Sequence, residues 1–322
     1  VLTTHFDYHS IEGRMTKLDI LGHDDPTIIR MLEDLTGIDA KTIPFDDPKT
    51  LSLFSSTEGI GLTPEQLQGD QVASLAVPEC GTKFVRGMLE DSRPQTFSDL
   101  VRISGFSHGT NVWLDNAQDL IKNGTCKLNE AISTRDDVMN FLIHRGMDRK
   151  HSFFVMENVR KGKGIEKRNK QGQAITEFEA EMRENNIPEW FIESCKKISY
   201  LFPRAHAVAY VMMAFRIAWF KVYHPLAFYA AYFSIRAKAF DLRIMTGDLK
   251  TQMTEFNRIK ALDRGASPKD KDLMSALEVS MEMYQRGYRF VNVDIQHSEA
   301  RRFSIKDGAL LPPFLAIDSL GE

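Results

Sequence analysis

Apolar residues recur along this chain at two different periods. Near the start they alternate with polar ones. Thr4-His5-Phe6-Asp7-Tyr8-His9-Ser10-Ile11 and Thr16-Lys17-Leu18-Asp19-Ile20-Leu21 are rich in β-branched and aromatic types. With Glu12-Gly13-Arg14 between them, the pattern predicts a β-hairpin. His23-Asp24-Asp25-Pro26 then offers a capping aspartate ahead of a proline. Ile28, Ile29, Leu32 and Leu35 follow at helical spacing, so a helix is expected up to Gly37.

From Ile43 to about Ile244 the spacing is helical with short loops. Phe45-Asp46-Asp47-Pro48 caps one helix, which Ser52 to Gly61 breaks, and Gly81 to Leu89 begins another ahead of Arg93-Pro94. Further helices are predicted at Phe97–Ile103, Ala117–Ile121, Asp136–Arg145, Phe153–Val159, Glu177–Glu184 and Glu189–Leu201. The longest runs from Ala205 to His224, is interrupted at Pro225 and resumes to Phe240. Alternation returns in Tyr288–Val293 and Phe303–Ile305, with a turn signal at Lys306-Asp307-Gly308. The last dozen residues read as the opening of a helical element.

Composition places the chain among globular proteins: 322 residues, 43% hydrophobic and 26% charged. Disorder, collagen and a coiled-coil rod are excluded, and the length suits about two domains. Cys80, Cys126 and Cys195 lie far apart without a CxxC spacing. Neither a disulfide framework nor a zinc ribbon fits them, so a reducing, cytoplasmic location is expected. The first residues carry no secretory signal. Val1 in place of an initiator methionine, together with the abrupt Gly321-Glu322 end, suggests a fragment. Arg216, Lys221 and Pro225 interrupt the apolar stretch Ala205 to Ile235, which therefore reads as buried helix rather than a membrane span.

Charge changes the picture more than composition does. Residues 1–150 hold 15 basic and 23 acidic side chains, and residues 151–322 hold 26 basic and 21 acidic. Positive potential is thus confined to the second half, a pointer to a polyanionic ligand.

Several constellations could carry chemistry. Lys17 and Asp19 would project from one face of the second strand, either as an exposed ion pair or as a carboxylate for Mg2+ beside an ammonium for phosphate. His5, Asp7 and His9 would share a face of the first strand, a polar surface or a metal site. Val159 to Lys170 contains six cations against one anion. Its glycines leave backbone amides open, so Arg160, Lys161 and Lys163 could converge on a triphosphate or a nucleic-acid backbone, or form a solvated basic loop. No P-loop spacing is present, and Lys167–Ala174 is polar enough for a disordered insert. Arg204, His206 and Tyr210 sit at the start of the longest helix, where free amides favour an anion, with tight helix packing as the alternative. His108 lies in the polar turn Ser107-His108-Gly109-Thr110.

In this order the pieces resemble the Gram-positive (PolC) type of the DNA polymerase III alpha subunit, a C-family replicative polymerase. The similarity runs end to end. It is carried by Thr4–Ile11, Leu18-Asp19-Ile20-Leu21-Gly22-His23-Asp24-Asp25-Pro26-Thr27, Ile103-Ser104-Gly105-Phe106-Ser107-His108-Gly109-Thr110, Val159-Arg160-Lys161-Gly162-Lys163-Gly164 and Phe202-Pro203-Arg204-Ala205-His206-Ala207-Val208-Ala209-Tyr210.

The resemblance implies a mainly α fold: the β-hairpin end of a palm domain (1–40), a large helical fingers domain (41–286) and the start of a small α+β duplex-binding region (287–322) with a truncated helix-hairpin-helix. It implies templated nucleotidyl transfer from dNTP to a primer 3′-hydroxyl by a two-metal mechanism with Mg2+. Asp19 matches the third palm aspartate, and Lys17 would lie beside the primer end or the phosphates. Arg160, Lys161 and Lys163 match a loop that grips the triphosphate. His108, Arg204, His206 and Tyr210 would border the nucleotide pocket. Primer-template DNA, dNTPs and replisome subunits such as the sliding clamp are the implied partners, the last through segments outside this chain.

The other two palm aspartates would precede Val1, and Asp270-Lys271-Asp272, in a polar stretch after Pro268, cannot replace them. The isolated chain is therefore expected not to polymerise DNA. A non-catalytic helical module that binds nucleic acid or a partner through the basic half is the competing reading.

Overall fold

The computed structural model describes residues 5–11, 14–16, 18, 22–165, 167–168, 174–176, 178–318 and 320. Lys17 and Asp19 lie outside the described residues. The first predicted strand is not formed: Tyr8–Ile11 makes one turn of helix (α1). Phe6, Met15 and Leu18 stay exposed. A strand is marginal without a buried face, and among the described residues nothing covers these side chains; most of the second predicted strand lies outside the described residues. The turn at α1 also ends the alternation on which a shared face for His5, Asp7 and His9 depended.

The helices that follow start where short-range signals place them. α2 (Asp25–Thr36) carries Pro near its start and stops at Gly37, whose φ of 71° is the left-handed conformation glycine adopts without penalty. Asp47 caps α3 (Pro48–Ser52) by accepting from the Thr50 amide at 2.8 Å. Thr82 caps α4 (Lys83–Ser92), and Thr96 and Asp99 form a capping box on α5 (Phe97–His108). α6 (Gln118–Lys122) precedes an antiparallel pair, α7 (Arg135–His144) and α8 (Arg149–Arg160). Lys167–Arg168 (β1) pairs antiparallel with Ala174–Thr176 (β2), and the rest of the polar insert expected to be disordered lies outside the described residues.

α9 (Phe178–Glu184) and α10 (Glu189–Lys197) lead to α11 (Arg204–Tyr223). Pro225 opens α12 (Pro225–Ala231) rather than merely kinking α11. The chain then runs through α13 (Leu242–Met245), α14 (Leu249–Leu262) and α15 (Pro268–Gln285). α14 and α15 stand between Ile244 and Tyr288, where the pattern predicts no element. Asp270 belongs to the capping box of α15 with Ser267. Ser304–Lys306 (β3) and Ala309–Leu311 (β4) form the hairpin signalled by Asp307-Gly308, with φ values of 51° and 75° at the turn. The expected strand at Tyr288–Val293 is reduced to one parallel bridge, Phe290 to Leu310. The last predicted helical element is a single 3-10 turn, Phe314–Ala316.

Two apolar cores form. One joins α3 to α11 and contains Phe54, Phe106, Phe191 and Phe215. The other joins α2, α12, α14, α15 and the β3–β4 hairpin through Leu32, Phe228, Phe256, Leu277 and Leu310. Residues from either side of the boundaries expected near 40 and 287 share this second core. α11 faces both: Phe215 and Ala218 enter the first, Ile217 and Phe220 the second. That explains a helix apolar on nearly every side. It is the one helix among the described residues long and apolar enough to cross a membrane, and half of its apolar stretch is buried in the protein.

Candidate functional site

Four backbone positions, Ser199 to Phe202, bring the candidate residues together. Tyr200 O accepts from the Thr110 amide and Thr110 O accepts from the Ser199 amide, both at 3.0 Å. The Leu201 amide donates to Arg160 O at 3.3 Å, and Phe202 O accepts from the Arg135 amide at 3.1 Å. The loop after α5, the C-terminus of α8, the start of α7 and the start of α11 are thereby tied to one extended segment. Glycines allow the approach. A Cβ on Gly162 would lie 2.5 Å from Ser199 O, and one on Gly109 would lie 3.0 Å from Tyr200 O.

A row of rings lies along this wall. The His108 ring stacks on Phe202 at 4.7 Å, Phe202 meets His206 edge-on at 5.8 Å, and His206 faces Tyr210 at 6.4 Å. Tyr210 in turn faces His23 at 4.9 Å. Spacing alone had placed His206 and Tyr210 together; Phe202 and His23 extend the row at both ends. His108 is the last residue of α5. Its Nδ1 lies 2.8 Å from Ser104 O and its Nε2 lies 2.9 Å from Glu79 Oε2. Both of these oxygens accept hydrogen bonds, so both contacts favour the protonated ring. The Glu79 bond holds the His108 pKa above its ordinary value against the effect of burial, and the same bond lowers that of Glu79.

The cations are less free than the sequence suggests. Arg160 forms two bonds to Glu157, at 2.8 and 2.9 Å, and Lys161 lies 3.2 Å from the same carboxylate. These cations, Arg160 foremost, pull the Glu157 pKa down to about 2. Lys163 is exposed and pairs with no carboxylate among the described residues. The amides of Lys161, Gly162 and Lys163 turn back onto Asn158 O and Val159 O, closing α8. They are spent there and cannot cradle phosphates as the glycine content implied.

The match to known proteins now has a structure to stand on. The description of bacterial DNA polymerase III alpha subunit finger domain fits residues 25–186. This chain belongs to that family. It is 56% identical over 321 residues to the "DNA polymerase III PolC-type" of Caldanaerobacter subterraneus subsp. tengcongensis. The proteins of the same description from Bacillus subtilis and Clostridium perfringens are 53% and 52% identical over 319 and 322 residues. The chain is covered almost completely in each case but spans 22% of each relative's length.

In this finger-domain chain Arg204 faces a carboxylate rather than an open pocket. Its guanidinium pairs with Asp137, which also lies 3.5 Å from Arg102, and its amide donates to Asp136 Oδ2 at 2.9 Å. Asp137 is buried and accepts from the amides and hydroxyls of Ser133 and Thr134 at 2.8–3.1 Å. Burial would raise its pKa, but Arg102, Arg204 and those hydrogen bonds outweigh it and lower it from 3.8. Asp137→Asn leaves two arginines without their counter-charge and is expected to cost about 3 kcal/mol. A carboxyl lowered in the folded state contributes stability above its unfolded pKa and loses it as pH falls through the folded value. Urea midpoints at pH 7 and pH 3 should therefore converge between parent and variant at the acid end.

Glu79, Asp137 and Glu157 carry no signal in the sequence, and His23 and Asp25 stood out only as part of a helix-capping segment. Their partners lie far off in sequence or on surfaces no local pattern marks. Glu79 also adopts a φ of 64°, uncommon for a non-glycine and without a local signature.

Proposed function

We propose that this chain is the fingers-bearing section of a bacterial replicative DNA-directed DNA polymerase, one that takes dNTPs and primer-template DNA and works in the cytoplasm with replisome subunits such as the sliding clamp. The observation that carries the reading is the wall on Ser199–Phe202. It gathers the basic turn after α8, the His108 turn and the His206–Tyr210 face of α11, the three stretches expected around an incoming nucleotide. The name of the relatives, DNA polymerase III PolC-type, supports the same activity for the whole protein. Asp19 and Lys17 are proposed as palm residues of the catalytic centre.

Mg2+ bound by Asp19 and further carboxylates would activate the primer hydroxyl and neutralise the leaving pyrophosphate. The chain's own contribution is positioning. Exposed Lys161 and Lys163 would meet the phosphates as point charges, and Glu157 holds Arg160 and Lys161 in place. The ring row offers flat faces beside the base, whose choice is left to template pairing.

Lys161→Ala with Lys163→Ala, made in the complete polymerase, tests this. The KM for dNTP should rise about tenfold while primer-template affinity stays within about twofold, since a tenfold change needs only about 1.4 kcal/mol of lost phosphate contact. An unchanged KM with weakened DNA binding would favour the module that merely binds nucleic acid.

A further inference from the structure

We propose that His23, Asp25 and Glu79 form a binding site for a divalent transition-metal ion, with Zn2+ the best match. One ligand atom from each lies within 4.8 Å of the other two. A tetrahedral zinc ion with bonds near 2.1 Å places its ligands about 3.4 Å apart, so closing the site takes movements of about 1 Å.

The hydrogen bonding inside the cluster points to a missing cation. The Asp25 amide donates to His23 Nδ1 at 3.2 Å, so that nitrogen carries a lone pair and no proton. Asp25 Oδ2 lies 3.5 Å from it, is fully buried and accepts no hydrogen bond. Asp25 Oδ2 is thus left without a hydrogen-bond partner beside a ring lone pair, and a buried acceptor left in that state is costly. A metal ion would satisfy that oxygen, taking the ring lone pair in exchange for the Asp25 amide contact.

The surroundings resemble those of a ligand shell. Arg236 Nη1 holds the other Asp25 oxygen at 3.1 Å, leaving Oδ2 for the ion, and His108 Nε2 holds Glu79 Oε2 at 2.9 Å. Such outer contacts fix the direction of ligating carboxylates. Two carboxylates balance the double charge, and the imidazole selects a transition ion over Mg2+. Access comes from a cavity of about 840 Å³, which Glu79 and Arg236 also line. The site uses neither Asp19 nor the basic turn and stands or falls apart from the polymerase reading.

Calorimetric titration of the metal-free 322-residue chain with Zn2+, and separately with Mg2+, tests it. One Zn2+ per chain should bind, raising the thermal midpoint, while Mg2+ at the same concentration gives no comparable heat. His23→Gln, at the rim of the cluster, and Glu79→Gln should each weaken Zn2+ at least about tenfold and abolish the thermal shift, with helical circular dichroism unchanged. Asp34→Asn, on the outer face of α2, should bind as the parent does. Parent-like Zn2+ affinity in His23→Gln, or Zn2+ binding no tighter than Mg2+, overturns the proposal.

Discussion

Glu282→Ala should be among the most destabilising single substitutions in this chain, lowering the free energy of unfolding by about 3–5 kcal/mol. Lys221 is fully buried on α11, and its ammonium donates to Ala73 O at 2.8 Å, Leu75 O at 2.6 Å and Glu282 Oε2 at 2.9 Å. Tyr229 donates to the other Glu282 oxygen at 2.7 Å, and Arg286 reaches both the Tyr229 hydroxyl and Lys221 O. One carboxylate therefore joins α11, α12, α15 and the loop at 73–75. Removing it strands an ammonium in the core and orphans a tyrosine hydroxyl.

The pH dependence separates charge from packing. Burial lowers the Lys221 pKa from 10.5 to about 8, with Glu282 acting in the opposite direction. A lysine that binds its proton less tightly when folded makes stability rise with pH between its folded and unfolded values. Without Glu282 the folded value falls further, so the rise begins at lower pH. Urea unfolding at pH 7 and pH 9 should show the Glu282→Ala deficit shrinking at pH 9, and Glu282→Gln, which can still accept from Tyr229, should lose less. A pH-independent deficit would mean that packing, not the stranded charge, sets the cost.

Gly162→Ala should disconnect the basic turn from the wall. Gly162 has a φ of 66° and would place a Cβ 2.5 Å from the Ser199 carbonyl oxygen, a backbone atom fixed by the Thr110 pairing. Alanine meets both a left-handed backbone, about 1 kcal/mol or more, and a clash that no side-chain rotation relieves. Gly164 has a similar φ of 70° but open space around its Cβ position, so Gly164→Ala carries only the backbone cost. In the complete polymerase, Gly162→Ala should raise the KM for dNTP by about 30-fold, an estimate from the roughly 2 kcal/mol that a displaced contact loop costs, and Gly164→Ala by much less. Equal effects of the two would show that the approach to Ser199 does not place the loop.

Much of the local architecture was readable in advance. Asp47, the Thr96–Asp99 pair and Gly37 act within three or four residues, so a linear pattern suffices to place the ends they make. The Asp307-Gly308 turn is equally local. The first strand of the opening hairpin misled because alternation reports a face that could be buried, not whether anything buries it. Between 249 and 285 the heavy load of charge hid two helices whose buried sides appear only once α14 and α15 pack together.

Candidate residues divide in the same way. His108, Arg160, Lys161, Lys163, Arg204, His206 and Tyr210 could be picked out by type and motif, and the resemblance put them in one family's order. Their states could not. Arg160 is held by Glu157, Arg204 by Asp137 and His108 by Glu79. What the amino-acid order alone determined was the family, the main helices and the set of polar residues worth watching, because caps, turns and motifs are written over a few adjacent positions. Only the tertiary structure decided which charges are neutralised and which groups share a cavity. Those outcomes depend on contacts such as 79 with 108 and 221 with 282, where ion-pair energy falls with distance and rises with burial, and neither quantity exists until the chain has folded.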